Sequence, residues 1–169
     1  MYISDTVFTF CSGLKAINVA SENPAYLSED GILFNKDKTE LIRFPSNKLS
    51  EEYIVPQTVT SVRGYAFEGC SKLITITLPE SLTEIAYSTF YECFSLENVN
   101  IPQSVTKIGS DAFAYCSSIK NITIPDGVLS IGARAFNNCD LLENIEIPEK
   151  VILIGDEAFC FNEALTGVD

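Results

Sequence analysis

The sequence predicts a β-rich α/β solenoid of about five to six stacked 23-residue coils, each built from short strands and a single helical turn. Three observations carry this. Prolines stand at Pro56, Pro79, Pro102, Pro125 and Pro148, and phenylalanines at Phe67, Phe90, Phe113, Phe136 and Phe159, both stepping by 23 residues. Apolar residues keep fixed columns on the same step, as in Val62, Ile85, Ile108, Ile131 and Ile154, or Leu73, Leu96, Ile119, Leu142 and Leu165. Cysteine recurs with them at Cys70, Cys93, Cys116 and Cys139. One such coil cannot bury its apolar side alone, so neighbours must stack.

Within a coil, "LITITLP" at 73–79 alternates apolar and polar residues and reads as a short strand with one face inward. Pro79 lacks an N–H and ends it. "SLTEI" at 81–85 is a second, shorter strand. "YSTFYEC" at 87–93 reads as a turn or one helical turn that carries Phe90 inward, and Ser110 and Asp156 stand where N-caps would in later coils. Gly109, Gly132 and Gly155 imply a tight backbone, although Arg63 and Ala86 fill the same slot.

Composition removes whole classes of function. Eleven basic against 23 acidic residues give a net charge of −12, which argues against nucleic acid or an anionic membrane as partner. No apolar run is long enough to span a bilayer, and "MYISDTVFTF" has no signal-peptide organisation. Histidine is absent, which excludes Ser-His-Asp and Cys-His nucleophilic sites and every His-containing zinc site.

Equivalent side chains in stacked coils lie about 4.8 Å apart and parallel. A disulfide needs Cβ atoms about 3.8 Å apart on converging vectors, and tetrahedral zinc needs ligands around a point rather than along a line. The cysteine ladder therefore reads as buried free thiols acting as small core hydrophobes, with no metal and no cofactor. Cys11 falls in the same column, Asn162 replaces cysteine in the last copy as a fraying or terminal coil allows, and Cys160 lies outside the column as the one thiol expected to react.

The unit "IPQSVTKIGSDAFAYCSSIKNIT" at 101–123 resembles the repeat of BspA-like leucine-rich-repeat proteins, whose pattern is L-x-x-I-x-I-P-x-x-V-T-x-I-G-x-x-A-F-x-x-C. The match runs in register over about 54–169, and "FTFCSGLKAINV" at 8–19 fits as well. "SEDGILFNKDKTELIRFP" at 28–45 resembles an insertion found in that family. The resemblance implies a right-handed leucine-rich-repeat array in a bacterial cell-surface or secreted protein. Relatives are associated with adhesion to host matrix and plasma proteins such as fibronectin and fibrinogen, and with coaggregation. It implies no catalytic residues and no cofactor.

The domain organisation expected is one solenoid over 1–169, interrupted at about 24–53. "GILFN" and "ELIRF" around "KDKT" suit a β-hairpin, while "LIRFP" also suits one lengthened coil. On the repeat register both ends fall mid-coil without a polar cap, which implies a fragment of a longer array or ends that pair with another copy. Leu129, Ile152 and Leu153, apolar where earlier coils are polar, favour such self-association.

The outward residues of each first strand form columns suited to a ligand: Thr75, Asn98, Asn121 and Asn144 in one, Thr77, Asn100, Thr123 and Glu146 in the next. Solenoids bind proteins on such concave strand faces. The competing reading is that Asn and Thr merely satisfy one another between coils. For chemistry only paired carboxylates remain, and Glu143 and Glu146, three apart on a strand, point to opposite sides. "SED" and "NKDKTE" are too sparse for a calcium site, and "NIT" at 121–123 is a lone glycosylation sequon. The expectation is a non-enzymatic surface binding or adhesion module, with Thr75, Asn98, Asn100, Asn121, Thr123, Asn144 and Glu146 as contact residues. The alternative is a spacer or stalk segment of a larger surface protein.

Overall fold

Successive coils contribute short strands to two parallel ladders, as the two alternating stretches of the repeat require, the first ladder being broken at residues 121–123. The structure, a computed structural model, describes residues 3–168. On the first ladder β4 (Glu52–Ile54), β6 (Thr75–Thr77) and β8 (Asn98–Asn100) pair in register, Thr75 opposite Asn98 and Thr77 opposite Asn100. Beyond them Asn121 bridges to Asn144 at the start of β11 (Asn144–Ile145), which pairs with β13 (Gly167–Val168). The second ladder runs β7 (Glu84–Ile85), β9 (Lys107–Ile108), β10 (Ser130–Ile131) and β12 (Leu153–Ile154).

Among the described residues there is no helix, so the expected helical turn and the α/β description are corrected. The molecule is a β-solenoid, and Ser110 and Asp156 have no helix to cap. The reason lies in where the N–H groups go. In the coil around Phe113, the N–H groups of Ala112, Ala114 and Cys116 bond three residues back within the coil. Those of Asp111, Phe113 and Tyr115 donate instead along the stack, to the carbonyls of Ala133, Ala135 and Asn137 at 2.8–2.9 Å. A helix would draw every N–H into its own coil and leave the stack without axial bonds. This alternation forces left-handed backbone twice per coil, at Tyr65, Ser88, Asp111, Arg134 and Glu157, and again at Gly69, Glu92, Tyr115, Asn138 and Phe161.

The core is a set of columns. Phe44, Phe67, Phe90, Phe113, Phe136 and Phe159 stack with ring centroids 5.2–5.7 Å apart. Beside them each thiol reaches the backbone of the coil before it. Cys93, Cys116 and Cys139 donate from Sγ to the carbonyls of Phe67, Phe90 and Phe113 at 3.1–3.2 Å, and Cys70 points to that of Phe44 at 3.9 Å. Asn162 does not mark fraying. Its Nδ2 donates to the Phe136 carbonyl at 3.0 Å and its Oδ1 accepts from the Cys139 N–H at 2.7 Å, so it replaces the thiol with a stronger donor.

Coil pitch also explains the glycines. A Cβ on Gly132 would lie 2.4 Å from Ser110 N, and one on Gly155 would lie 2.3 Å from Ala133 N. Where Ala86 takes this slot, β7 does not pair with β5 (Ser61–Val62), which joins another sheet.

That sheet is the antiparallel meander β1 (Tyr26–Glu29), β2 (Ile32–Asn35) and β3 (Glu40–Arg43), with β5 added in parallel to β3. Asp30 and Gly31, with φ of 49° and 75°, make a two-residue turn between β1 and β2. Asn35 Oδ1 accepts the N–H groups of Thr39 and Glu40 across the second turn. From β3 onward the chain already stands in the repeat: Phe44 occupies the phenylalanine column and β4 the first ladder. The segment before the meander packs against it. Ile3, Phe8, Ile17 and Val19 pack on Tyr26, Leu33 and Ile42 as a second small core. At the other side Ile154 and Val168 are exposed, whereas Ile131 and Ile145, one coil earlier, are buried.

Two thiols are exposed, Cys11 as well as Cys160, so Cys160 is not alone as expected. Burial pushes the Cys139 thiol up to about 12, and the Cys70 and Cys116 thiols also lie well above their ordinary value, first through burial and then through neighbouring cysteines. Unfolded thiols ionise near about 8.5. Because the folded values are higher, this contribution to stability is complete below about pH 8.5 and falls as pH rises towards about 12. Native protein should therefore titrate two thiols with a disulfide reagent and denatured protein all six. Stability should therefore decline as pH rises above about 8.5, and urea midpoints should show a shallower decline in Cys139→Ala.

The pitch itself is tested by two glycine substitutions. Gly132→Ala should cost about 3 kcal/mol in thermal or urea unfolding, because backbone rather than a side chain must move. Glu157→Gly, which relieves an exposed left-handed residue, should instead raise Tm by about 2 °C.

Candidate functional site

Four of the seven sequence-predicted contact residues come together. Thr75, Asn98, Asn100 and Asn121, from three successive coils, line one open depression of about 330 Å³ with Thr77, Glu97 and Val99. Inward Ile76 and Leu96 anchor these strands, so the period-two alternation sends the neighbouring polar residues outward. Thr123, Asn144 and Glu146 lie further along and do not line it.

Inter-coil bonding claims only some of these side chains. Asn100 Oδ1 accepts the N–H of Leu78, a buried residue, at 3.2 Å, which makes Asn100 part of the framework. Asn98 Nδ2 reaches Thr75 Oγ1 only at 3.4 Å, and Thr166 Oγ1 lies 3.4 Å from Asn144 Oδ1. Asn121, Thr123 and Glu146 are exposed and make no side-chain hydrogen bond among the described residues. The first ladder is also interrupted where β8 meets residues 121–123, and Glu97, Asn98, Ser118, Lys120 and Asn121 line a further depression of about 200 Å³ there.

Sequence reasoning missed a further concavity. A groove of about 610 Å³ runs beside the second ladder, crossing five coils from Ser61 to Leu153. Gly109, Gly132 and Gly155 line it with bare backbone, and Glu84 and Lys107 stand 3.7 Å apart along it. Its near end is tied off by Arg63, which bonds Glu40 Oε2 at 2.8 Å and the Ile3 carbonyl at 2.7 Å, and by Tyr87, whose hydroxyl donates to Asp5 Oδ2 at 2.6 Å. The glycine column was its signal in the sequence.

Among the described residues, no group of three or more Cys, Asp or Glu side chains is placed to hold a metal ion, and no helix is long and apolar enough to cross a membrane. Chemically, both faces present hydrogen-bonding groups and mixed charge to a surface, suited to recognition of another macromolecule.

The pattern of the BspA type leucine rich repeat region matches residues 43–166 in 6 copies. The chain belongs to that family. Among solved structures, a leucine rich cell surface protein of Faecalibacterium prausnitzii A2-165 is 31% identical, with a TM-score of 0.89 over 96% of this chain and 43% of that one. The pneumococcal vaccine antigen PcpA is 29% identical, with a TM-score of 0.80 over 91% of this chain and 38% of its own. A leucine-rich repeat protein of Bacteroides ovatus ATCC 8483 is 33% identical, with a TM-score of 0.71 over 90% and 41%. The chain thus spans less than half the length of each of these three proteins. No curated protein matches it.

The division between framework and free columns can be checked in this BspA-type array by single truncations. Asn100→Ala should cost about 1–2 kcal/mol by leaving the Leu78 N–H without an acceptor. Asn121→Ala should change the unfolding free energy by less than about 0.5 kcal/mol.

Proposed function

We propose that this chain is a non-enzymatic protein-binding segment of a bacterial cell-surface or secreted protein, engaging its ligand through the first-strand face. The observation that carries this reading is the depression shared by Thr75, Asn98, Asn100 and Asn121, continued outward by Asn121, Thr123 and Glu146 with their side chains uncommitted. A solenoid offers contact points at a fixed pitch along such a face, so modest contacts from several coils add up on an extended ligand. The 31% identical relative is described as a cell surface protein, and host matrix or plasma proteins are the ligand class the family resemblance suggests.

A spacer role is the second reading, favoured by the phenylalanine stack that runs through six coils without a gap. Biolayer interferometry on immobilised fibronectin, fibrinogen and collagen separates the two. The binding reading expects saturable binding by the native chain, weakened at least about 10-fold in the variant Asn98→Arg, Asn121→Arg, Asn144→Arg. Failure of the native chain to bind any of the three would remove the matrix-ligand form of the proposal and leave the spacer reading in front.

A further inference from the structure

A third surface, on the turns rather than the strands, has the character of a side-chain receptor. The second left-handed position of each coil carries an outward side chain in nearly every copy: Phe10, Glu92, Tyr115, Asn138 and Phe161. Gly69 is the exception, with φ of 70°, and a Cβ built there would meet only Ser46 Cβ, at 3.8 Å. The missing side chain opens a cleft of about 360 Å³, floored by Ser46, Gly69 and Ser71. Phe10 and Phe94 also line it, 73% and 45% exposed. Together they give the cleft two aromatic surfaces that a ligand can reach from solvent.

The acidic lining is as distinctive as the aromatic one. Glu68 and Glu92 both face the cleft, and no Lys or Arg side chain lines it. Glu68 is buried and held by Arg43, whose Nη2 meets Glu68 Oε2 at 2.7 Å. The same carboxylate accepts the Phe10 N–H at 3.1 Å, which fixes the aromatic wall in place. Glu92 accepts a hydrogen bond from the Tyr91 hydroxyl and keeps its charge and its remaining acceptor positions for a ligand. Its charge is felt by the neighbouring Tyr91 hydroxyl, held above its ordinary pKa first by burial and then by that carboxylate.

We propose that the Phe10–Gly69–Phe94 cleft is a docking site for an arginine side chain of a partner protein. A guanidinium stacks on an aromatic face, stays charged at all working pH, and matches a carboxylate with paired donors. A lysine ammonium gains the charge but loses the planar stacking. The net charge of −12 attracts basic segments towards the chain in general, and the cleft supplies what that field lacks, a bounded apolar slot. This site is separate from the first-strand face and stands or falls independently of it.

The test titrates acetyl-Gly-Arg-Gly-amide into the isotope-labelled full chain at physiological salt, followed by backbone amide NMR. Saturable shifts confined to the signals of Gly69, Ser71, Glu92 and Phe94 are expected, with none from the citrulline analogue, which keeps the shape and loses the charge. Phe94→Ala should weaken binding about 3- to 10-fold. Gly69→Asn, a residue that tolerates left-handed backbone and fills the slot, should do at least as much. The double variant Asp126→Asn, Glu149→Gln, at exposed acidic residues that do not line the cleft, should leave affinity unchanged. The proposal is overturned if shifts spread over the acidic surface without saturating, if citrulline binds equally, or if Phe94→Ala and Gly69→Asn bind like the native chain. The undisturbed amide signals of each variant report that it is folded.

Discussion

Everything in this molecule depends on one spacing, the axial rise between coils set by hydrogen bonds that run along the stack. Strand N–H groups and alternate turn N–H groups all donate to the neighbouring coil, at 2.8–2.9 Å around Phe113. Phenylalanine rings 5.2–5.3 Å apart in the middle of the array follow the same rise. A rise that short admits no Cβ at Gly132 or Gly155, no helix in the turn, and no thiol pair able to converge. The thiols instead point back at the carbonyl of the preceding phenylalanine, so the most regular polar contact in the core is made by a residue usually counted as apolar.

The same constraint exacts a local cost. Ten turn residues between Tyr65 and Phe161 sit in left-handed backbone and only Gly69 among them is glycine. Each L-residue there is strained by about 1 kcal/mol, and the axial bonds they make possible offset it. Strain tolerated so evenly belongs to the framework rather than to a site. The departure from evenness, a glycine where side chains are the rule, is therefore informative.

The start of the array is held differently. Arg43 stands where later coils carry Ala66, Ala112 and Ala135, and its guanidinium is wholly buried against Glu68 and the carbonyls of Tyr65 and Glu68. Taking both charges out of water is costly, and removing either one would strand the other. What the pair achieves is positional. Glu68 holds Phe10, Ser46 holds the Cys11 carbonyl, and the segment before the meander is thereby tied to coils that lie 35 to 58 residues away in sequence. Arg63 and Tyr87 tie its other flank to Ile3 and Asp5. Here the solenoid acquires contacts that reach beyond the neighbouring coil, where its repeat is broken.

The sequence by itself determined the period, the inward columns and the stacking, because each rests on residue type at a fixed step and needs no distant partner. It also placed Thr75, Asn98, Asn100 and Asn121 outward on the first strand, since alternation alone decides that. It did not decide the conformation of the turn: "YSTFYEC" has helical length and polarity, and only the neighbouring coil's carbonyls select the alternating bonds instead. Asp30-Gly31 was a readable hairpin signal that the repeat pattern overshadowed. Asn162 could not be told from a lost cysteine until the Phe136 carbonyl lay 3.0 Å away. The burial of Arg43, the exposure of Cys11, the glycine-lined groove and the cleft at Gly69 were decided by tertiary structure alone. Each is formed by residues from different coils, and contact between coils is set by the stack, which no single repeat encodes.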